Sequence, residues 1–380
     1  MRVLVVDTYY PAFAASHYAA RPGLADAPYA EQLASLMDRH FGTGDAYSRG
    51  FEVAGHEAWE VVANVEPLQA AWAREHGVRG HRALALAGRA PGRAGAAARH
   101  ALRHLVLFEQ VRALAPDVVY VQDLWLLGRH ELDRLRKRGA FVVGQIASEP
   151  PPPERLGGFD LIVTSFPHYV ERFRALGIAS EYLPIAFDTS VLDVLRAEGL
   201  DPSPDADRAH ALVFVGGVNP RVHPAGTALI ERLCARTGLE VWGYGLEELP
   251  PDSPIRARHR GEAWGMDMYR VLARSKVVVN RHIEAAEGHA NNMRLFEGTG
   301  CGALVLTEAA PNLAKLFAPG TDLVAYRDEA ELAELMQHYA HRDDERRAIA
   351  RAGQARTLGQ HTYTRRIAEL TDMLAAHLPA

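Results

Sequence analysis

Short runs of branched apolar residues recur along this chain, each followed by a stretch of helical periodicity. That rhythm restricts the fold to open parallel sheets flanked by helices. Strands are predicted at 2–7, 58–63, 117–122, 140–146 and 161–165, and again at 211–215, 239–243, 276–280, 303–307 and 323–326. The segment 199–210, GLDPSPDADRAH, separates the two series; it is polar and Pro-rich, as a linker is. The expected organisation is α/β, with two Rossmann-like doubly wound domains facing across a cleft. They occupy residues 1–198 and 199–361, with a closing helix at 362–380. Small residues at 87–98, AGRAPGRAGAAA, suggest a surface loop.

Composition removes several classes of function. A length of 380 residues suits two domains. The net charge is −5 and the basic residues are scattered, so no nucleic-acid footprint is expected. No apolar run approaches bilayer length, and MRVLVVDTYY enters a strand directly, without the pattern of a leader peptide. The two cysteines, Cys234 and Cys301, read as free buried thiols in a reducing cytoplasm. Gly-x-Ser-x-Gly and His-Glu-x-x-His are both absent, which leaves hydrolase and metalloprotease readings without support. His100 and His104 have metal-compatible spacing, but Arg99 and Arg103 beside them mark a solvated helix face.

The densest chemistry lies in 280–308, NRHIEAAEGHANNMRLFEGTGCGALVLTE. A buried strand, a polar loop, a short helix and a second strand make one βαβ unit, whose loop lies at the carboxyl end of the sheet, where such folds bind ligands. Asn291 and Asn292 sit at the helix start, where free N–H groups favour anions. Asn280 and His282 are polar at the strand end and must bond either a ligand or each other. Glu297 either pairs with Arg294, three residues back, or holds the diol of a ribose. Upstream, strand 211–215 runs into Gly216-Gly217, where a backbone can approach a ligand closely, and Arg221 is placed to grip a phosphate. Tyr244 and Trp264 either stack on a nucleobase or pack as half-buried aromatics. In the first half, Asp7, Tyr9, Tyr10 and Asp123 follow strand ends and are acceptor-side candidates, or turn-forming polar residues.

The segments FVGGVNPRVHP, WGMDMYRVLARSKVVVNRH, ANNMRLFEGTGCGALVLTE, NLAKLFAPGTDLVAY and IARAGQARTLGQHTYTRRI resemble the carboxyl-terminal half of CgeB-type glycosyltransferases, a branch close to glycosyltransferase family 4. The resemblance runs through most of 211–370, whereas residues 1–200 share only the strand–helix rhythm. It implies a GT-B fold, a nucleotide-diphosphate sugar as co-substrate, no other cofactor and no metal. The expected acceptor is a glycan, a natural product or a protein. The implied activity is a hexosyltransferase that retains anomeric configuration, with the departing phosphate taking the acceptor proton. A nucleotide-sugar epimerase on the same fold and a non-catalytic nucleotide- or sugar-binding protein are the alternatives. Family 4 carries Glu-x7-Glu here; its second glutamate, which holds the ribose, falls on Glu297, and its first on His289, a departure from the pattern. Asn292, Met293 and Arg294 keep the Asn-Met-Arg of the CgeB branch. Arg221, Arg294 and the helix start would stabilise the charge left on the phosphate.

Overall fold

The computed structural model describes residues 1–379, which form two compact units, each built on its own parallel sheet. In unit 1 the strands are β1 (Arg2–Asp7), β2 (Glu57–Val62), β3 (Val118–Val121), β4 (Phe141–Ile146), β5 (Leu161–Thr164) and β6 (Ser180–Tyr182). They lie in the order β2-β1-β3-β4-β5-β6. In unit 2 they are β7 (His210–Val215), β8 (Glu240–Trp242), β9 (Ser275–Val279), β10 (Leu304–Glu308) and β11 (Val324–Tyr326), in the order β11-β10-β9-β7-β8. Every pairing is parallel, which requires a crossover between neighbouring strands and explains the spacing of the apolar runs.

Val3 to Val6 and Val118 to Val121 are fully buried, as strands covered on both faces must be. The core of unit 2 joins Phe214, Val277, Val279, Leu304 and Leu306 to Ile230, Leu233 and Met336 of the covering helices. Cys234 and Cys301 are free and buried, and burial pushes both thiols up to about 12.

Unit 2 begins at Leu183, ahead of the polar segment 199–210, and runs to Arg366. The last helix, Tyr363–His377, starts in unit 2, and from Ile367 its residues group with unit 1. The loop expected at 87–98 is instead the meeting point of two helices, His81–Gly88 and Gly92–Leu114. Ala is the strongest helix former, and the only break is Pro91 followed by Gly92 at φ +72°. Helix Pro11–Ala19 follows β1 directly, with Pro11 at its first position. Helix Ser190–Ala197 precedes the polar segment; neither helix is among the elements expected from the sequence.

Candidate functional site

In unit 2 the carboxyl ends of β7, β9 and β10 and the start of helix Met293–Gly300 lie together. The turns after β7 and β8 are in backbone contact: Gly216 N donates to Trp242 O (3.0 Å) and Val218 N to Tyr244 O (2.9 Å). A Cβ on Gly243 would lie 1.9 Å from Gly216 O, so only glycine fits there. A Cβ on Gly217 would press on the Tyr244 ring at 3.1 Å. Tyr244 in turn stacks on Trp264, centroids 4.9 Å apart and planes 20° apart. Both rings are half-buried, and the Trp264 indole N–H donates to Glu262 (2.7 Å). The pair packs as half-buried aromatics at the mouth of the Gly216-Gly217 turn.

Arg294 ties the Met293 helix to this turn, since its Nε donates to the last carbonyl of β7, Val215 O (3.3 Å). Its Nη1 donates to Glu297 Oε2 at 2.5 Å, and the phenol of Tyr269 donates to Glu297 Oε1 at 3.3 Å. Glu297 is 3% exposed; the salt bridge that the spacing allowed is formed through Oε2, and Tyr269 takes the other carboxylate oxygen. Burial and the neighbouring carboxylate hold the Tyr269 phenol well above its ordinary range, which keeps it a donor.

The loop between β9 and this helix is braced from within. Asn280 donates from Nδ2 to Thr307 Oγ1 (2.9 Å), and its Oδ1 accepts from Asn292 Nδ2 (2.6 Å). Asn292 Nδ2 also donates to Arg281 O (2.9 Å), while Asn280 O accepts from the Tyr326 phenol (2.9 Å). His282 accepts from Asn291 N at Nδ1 (3.3 Å), which leaves the proton on Nε2 to face Thr307 Oγ1 (3.3 Å). Burial and the adjacent Arg281 lower its pKa to about 4, so the ring is neutral near pH 7. Asn312 closes the loop by bonding both N and O of Ala290. Asn280, His282 and Asn292 therefore bond each other and the backbone. Thr307, Tyr326, Asn312 and Tyr269 share this work and were not singled out in the sequence, although Thr307 and Tyr326 are polar at the ends of apolar strands.

Donors are left over at the start of this helix. Asn292 is the N-cap residue, yet its side chain makes no cap, because Asn280 and Arg281 hold its amide. The first N–H groups, on Met293 and Arg294, are thus uncapped among the described residues. The Nδ2 of Asn291, a residue 3% exposed, has no hydrogen-bond partner among the described residues. A short helix with an open amino terminus beside a glycine turn has the geometry that favours an anion.

Other candidates stand apart from this helix start. The Arg221 side chain is 78% exposed and paired with Glu248 (2.9 Å). His289 is half-buried in the loop, with Nδ1 near Ala286 O (3.1 Å), just after Glu287 and Gly288 in the left-handed region. In unit 1, Thr8 connects two acceptor-side candidates: its N donates to Asp7 (2.7 Å) and its hydroxyl to Asp123 (2.8 Å). Burial, and then the charge of Asp123, push the Asp7 carboxyl up to about 7. Tyr10 is exposed, whereas Tyr9 is 2% exposed among Phe13 and Phe41 with its hydroxyl on Met37 sulfur. Tyr9 is a core residue. A cavity of about 970 Å³ lies at the opposite, amino edge of the same sheet. Two of its carboxylates are already bonded, Asp160 to Arg136 and Val142 N, and Asp117 to Arg2 N.

Residues 224–372 match the family model described as glycosyl transferase-like. Solved structures resemble the whole chain. A sucrose-phosphate synthase from Thermosynechococcus elongatus is 11% identical, with 99% of this chain and 98% of that one covered and a TM-score of 0.58. Anabaena Alr3699/HepE, in complex with UDP-glucose, is 12% identical, with 99% and 100% covered and a TM-score of 0.58. AviGT4, a glycosyltransferase involved in avilamycin A biosynthesis, is 14% identical, with 100% and 98% covered and a TM-score of 0.54. At such identities the likeness shows the fold, which is GT-B. No curated protein matches the chain.

Proposed function

We propose that this protein is a glycosyltransferase that binds a nucleotide-diphosphate sugar in unit 2 and transfers the sugar to an acceptor hydroxyl. The observation that carries this reading is the uncapped start of helix Met293–Gly300, tied by Arg294 to the turn at Gly216-Gly217. A diphosphate bridging the two would complete the N–H groups of Met293 and Arg294 and draw on the amide of Asn291. The match of 224–372 to a glycosyl transferase-like family and the fold shared with a UDP-glucose complex support it.

The reaction breaks the bond between the anomeric carbon and the phosphate oxygen and forms one to the acceptor oxygen. The acceptor proton goes to the departing phosphate, and the product keeps its anomeric configuration. Charge grows on the diphosphate as the bond breaks, so donors already fixed in place stabilise the transition state most. Arg294 is held by Val215 O and Glu297 before any ligand arrives, and it needs no metal to supply positive charge. Glu297 is assigned the ribose, which would take one carboxylate oxygen from Tyr269 or Arg294. A hexose is the expected donor sugar.

A thermal-shift series with UDP, GDP, ADP, CDP and dTDP, followed by donor-hydrolysis assays with and without EDTA, tests the proposal. One nucleotide is expected to raise the melting temperature by mass action, and its hexose conjugate to be turned over equally with EDTA present. If no nucleotide shifts the melting temperature, the donor site is wrong. If one binds but no conjugate is turned over with any acceptor, the protein is a binding protein instead.

A further inference from the structure

From His76 to Phe108 the chain contains no Asp or Glu but carries six arginines, although its overall net charge is −5. Basic residues are as dense in other stretches of the sequence; what sets this one apart is the lack of acidic ones, and it makes up most of the hairpin of helices His81–Gly88 and Gly92–Leu114 in unit 1. The hairpin is close-packed: a Cβ on Gly95 would lie 1.7 Å from Ala90 O, and Gly88 O accepts from the guanidinium of Arg99. The inner side, with Leu84 and Ala85, rests on Trp72, Val78, Leu102 and Val106.

The outer side has a different character. Arg82, Leu86 and Arg89 follow one another at helical spacing, with Arg79 before them and Arg93 after, and all five are exposed. Leu86 is 68% exposed, one of the few large apolar side chains so open to water. Small apolar residues, Ala83, Ala87, Ala90 and Pro91, are exposed between the arginines. Among the described residues none of Arg79, Arg82, Arg89 and Arg93 makes an ion pair. Arg99 alone reaches a carboxylate, Glu66 at 3.9 Å.

We infer that this hairpin docks the protein on an anionic lipid surface, with the arginines among the headgroups and Leu86 entering the acyl boundary. Charge complementarity selects an anionic partner, because four exposed arginines, none ion-paired among the described residues, lie within fifteen residues, 79–93, that include no acidic one. The apolar residues between the arginines select lipid over nucleic acid. No Phe, Tyr or Trp occurs between Trp72 and Phe108, and no Asn or Gln, so the segment has neither the stacking rings nor the amides with which bases are held. A basic helix face carrying an exposed leucine is the pattern of an interfacial helix. No helix among the described residues is long and apolar enough to cross a membrane, so this contact would be peripheral.

The test is co-sedimentation of the full chain with vesicles of mixed phosphatidylglycerol and phosphatidylcholine, and of phosphatidylcholine alone. Binding is expected only to the anionic vesicles and should weaken with added salt. Replacing Arg79, Arg82, Arg89 and Arg93 by Gln should reduce it by about fivefold per arginine. Leu86→Ser should weaken it while leaving the salt dependence in place. Because Cys234 and Cys301 are buried, Leu86→Cys can be labelled selectively with a polarity-sensitive dye, whose emission should shift to the blue on the vesicles. Unchanged melting temperatures for the Arg→Gln protein would show that lost binding is not lost folding. Equal binding by the parent and the Arg→Gln protein, no binding at low salt, or binding to duplex DNA but not to the vesicles would each overturn the inference.

Discussion

The carboxyl ends of the two sheets differ in what they leave exposed. In unit 2, Asn280, His282, Asn291 and Glu297 are each under 5% exposed. The side chains of Asn280, His282 and Glu297 bond Thr307, Asn292, Arg294 and Tyr269, His282 also accepts from Asn291 N, and Asn291 Nδ2 is left over among the described residues. In unit 1, Thr8 joins Asp7 to Asp123, and Tyr10 and Trp125 stand 52% exposed beside them. The first is a frame whose spare donors lie at one helix start; the second is bonded internally as well, Tyr9 with Asn64 and Gln122 with Thr43, but leaves two large aromatic side chains at its surface. A site that must stabilise charge as a bond breaks gains from donors that need no rearrangement.

The sharpest way to break this comparison is Glu297→Ala. It would leave the Arg294 guanidinium and the Tyr269 phenol without their buried partner, at an expected cost of about 3 kcal/mol. Glu297→Gln keeps the shape and should cost less, while still lowering nucleotide affinity by calorimetry if the carboxylate holds a ribose. A Glu297→Ala protein that melts like the parent would mean that the frame is not rigid. Gly243→Ala comes next, since its Cβ would meet Gly216 O; overpacking of this kind costs about 1–3 kcal/mol, and nucleotide affinity should fall with it.

Acidification should move the two regions in opposite directions. His282 has its pKa lowered from 6.5 to about 4, so the unfolded chain takes up the proton first. Its contribution is therefore complete above about 6.5 and is lost as pH falls toward 4. Asp7 is raised from 3.8 to about 7, so its ionisation penalises the folded state increasingly between those values, and unit 1 gains as pH falls. Urea midpoints of His282→Gln relative to the parent should improve on going down in pH, and those of Asp7→Asn on going up. Parallel trends would remove the contrast. The smallest effect is expected on the open surface: Trp125→Ala should change stability by no more than about 0.5 kcal/mol in equilibrium unfolding.

The sheets were legible because a strand buried on both faces has to be a run of branched apolar residues, and 2–7, 118–121 and 276–279 are such runs. Helix 92–114 was harder to read because its first turns are alanine, glycine and arginine with no apolar stripe, although alanine alone favours a helix. At the candidate site the residue types were legible but their partners were not. The bond from Asn280 to Thr307 depends on β9 lying beside β10 with Val279 opposite Leu306, a register that spacing does not reveal. Tyr9 and Tyr10 look equivalent in sequence; the turn after β1 sends one ring into the core and the other outward. Arg221 has phosphate chemistry but a carboxylate partner, Glu248, which no local pattern pairs with it.

The last helix has a consequence for how the chain is made. Ile367, Leu370 and Leu374 are fully buried, Ile367 lies so close to Gly50 that a Cβ there would sit 2.6 Å away, and His377 reaches Glu181 at 3.2 Å. Unit 1 thus waits for residues synthesised after the whole of unit 2, whereas unit 2 is one nearly continuous stretch of chain. On the ribosome the second unit can close first, while the earlier one remains without its final helix until translation is nearly over.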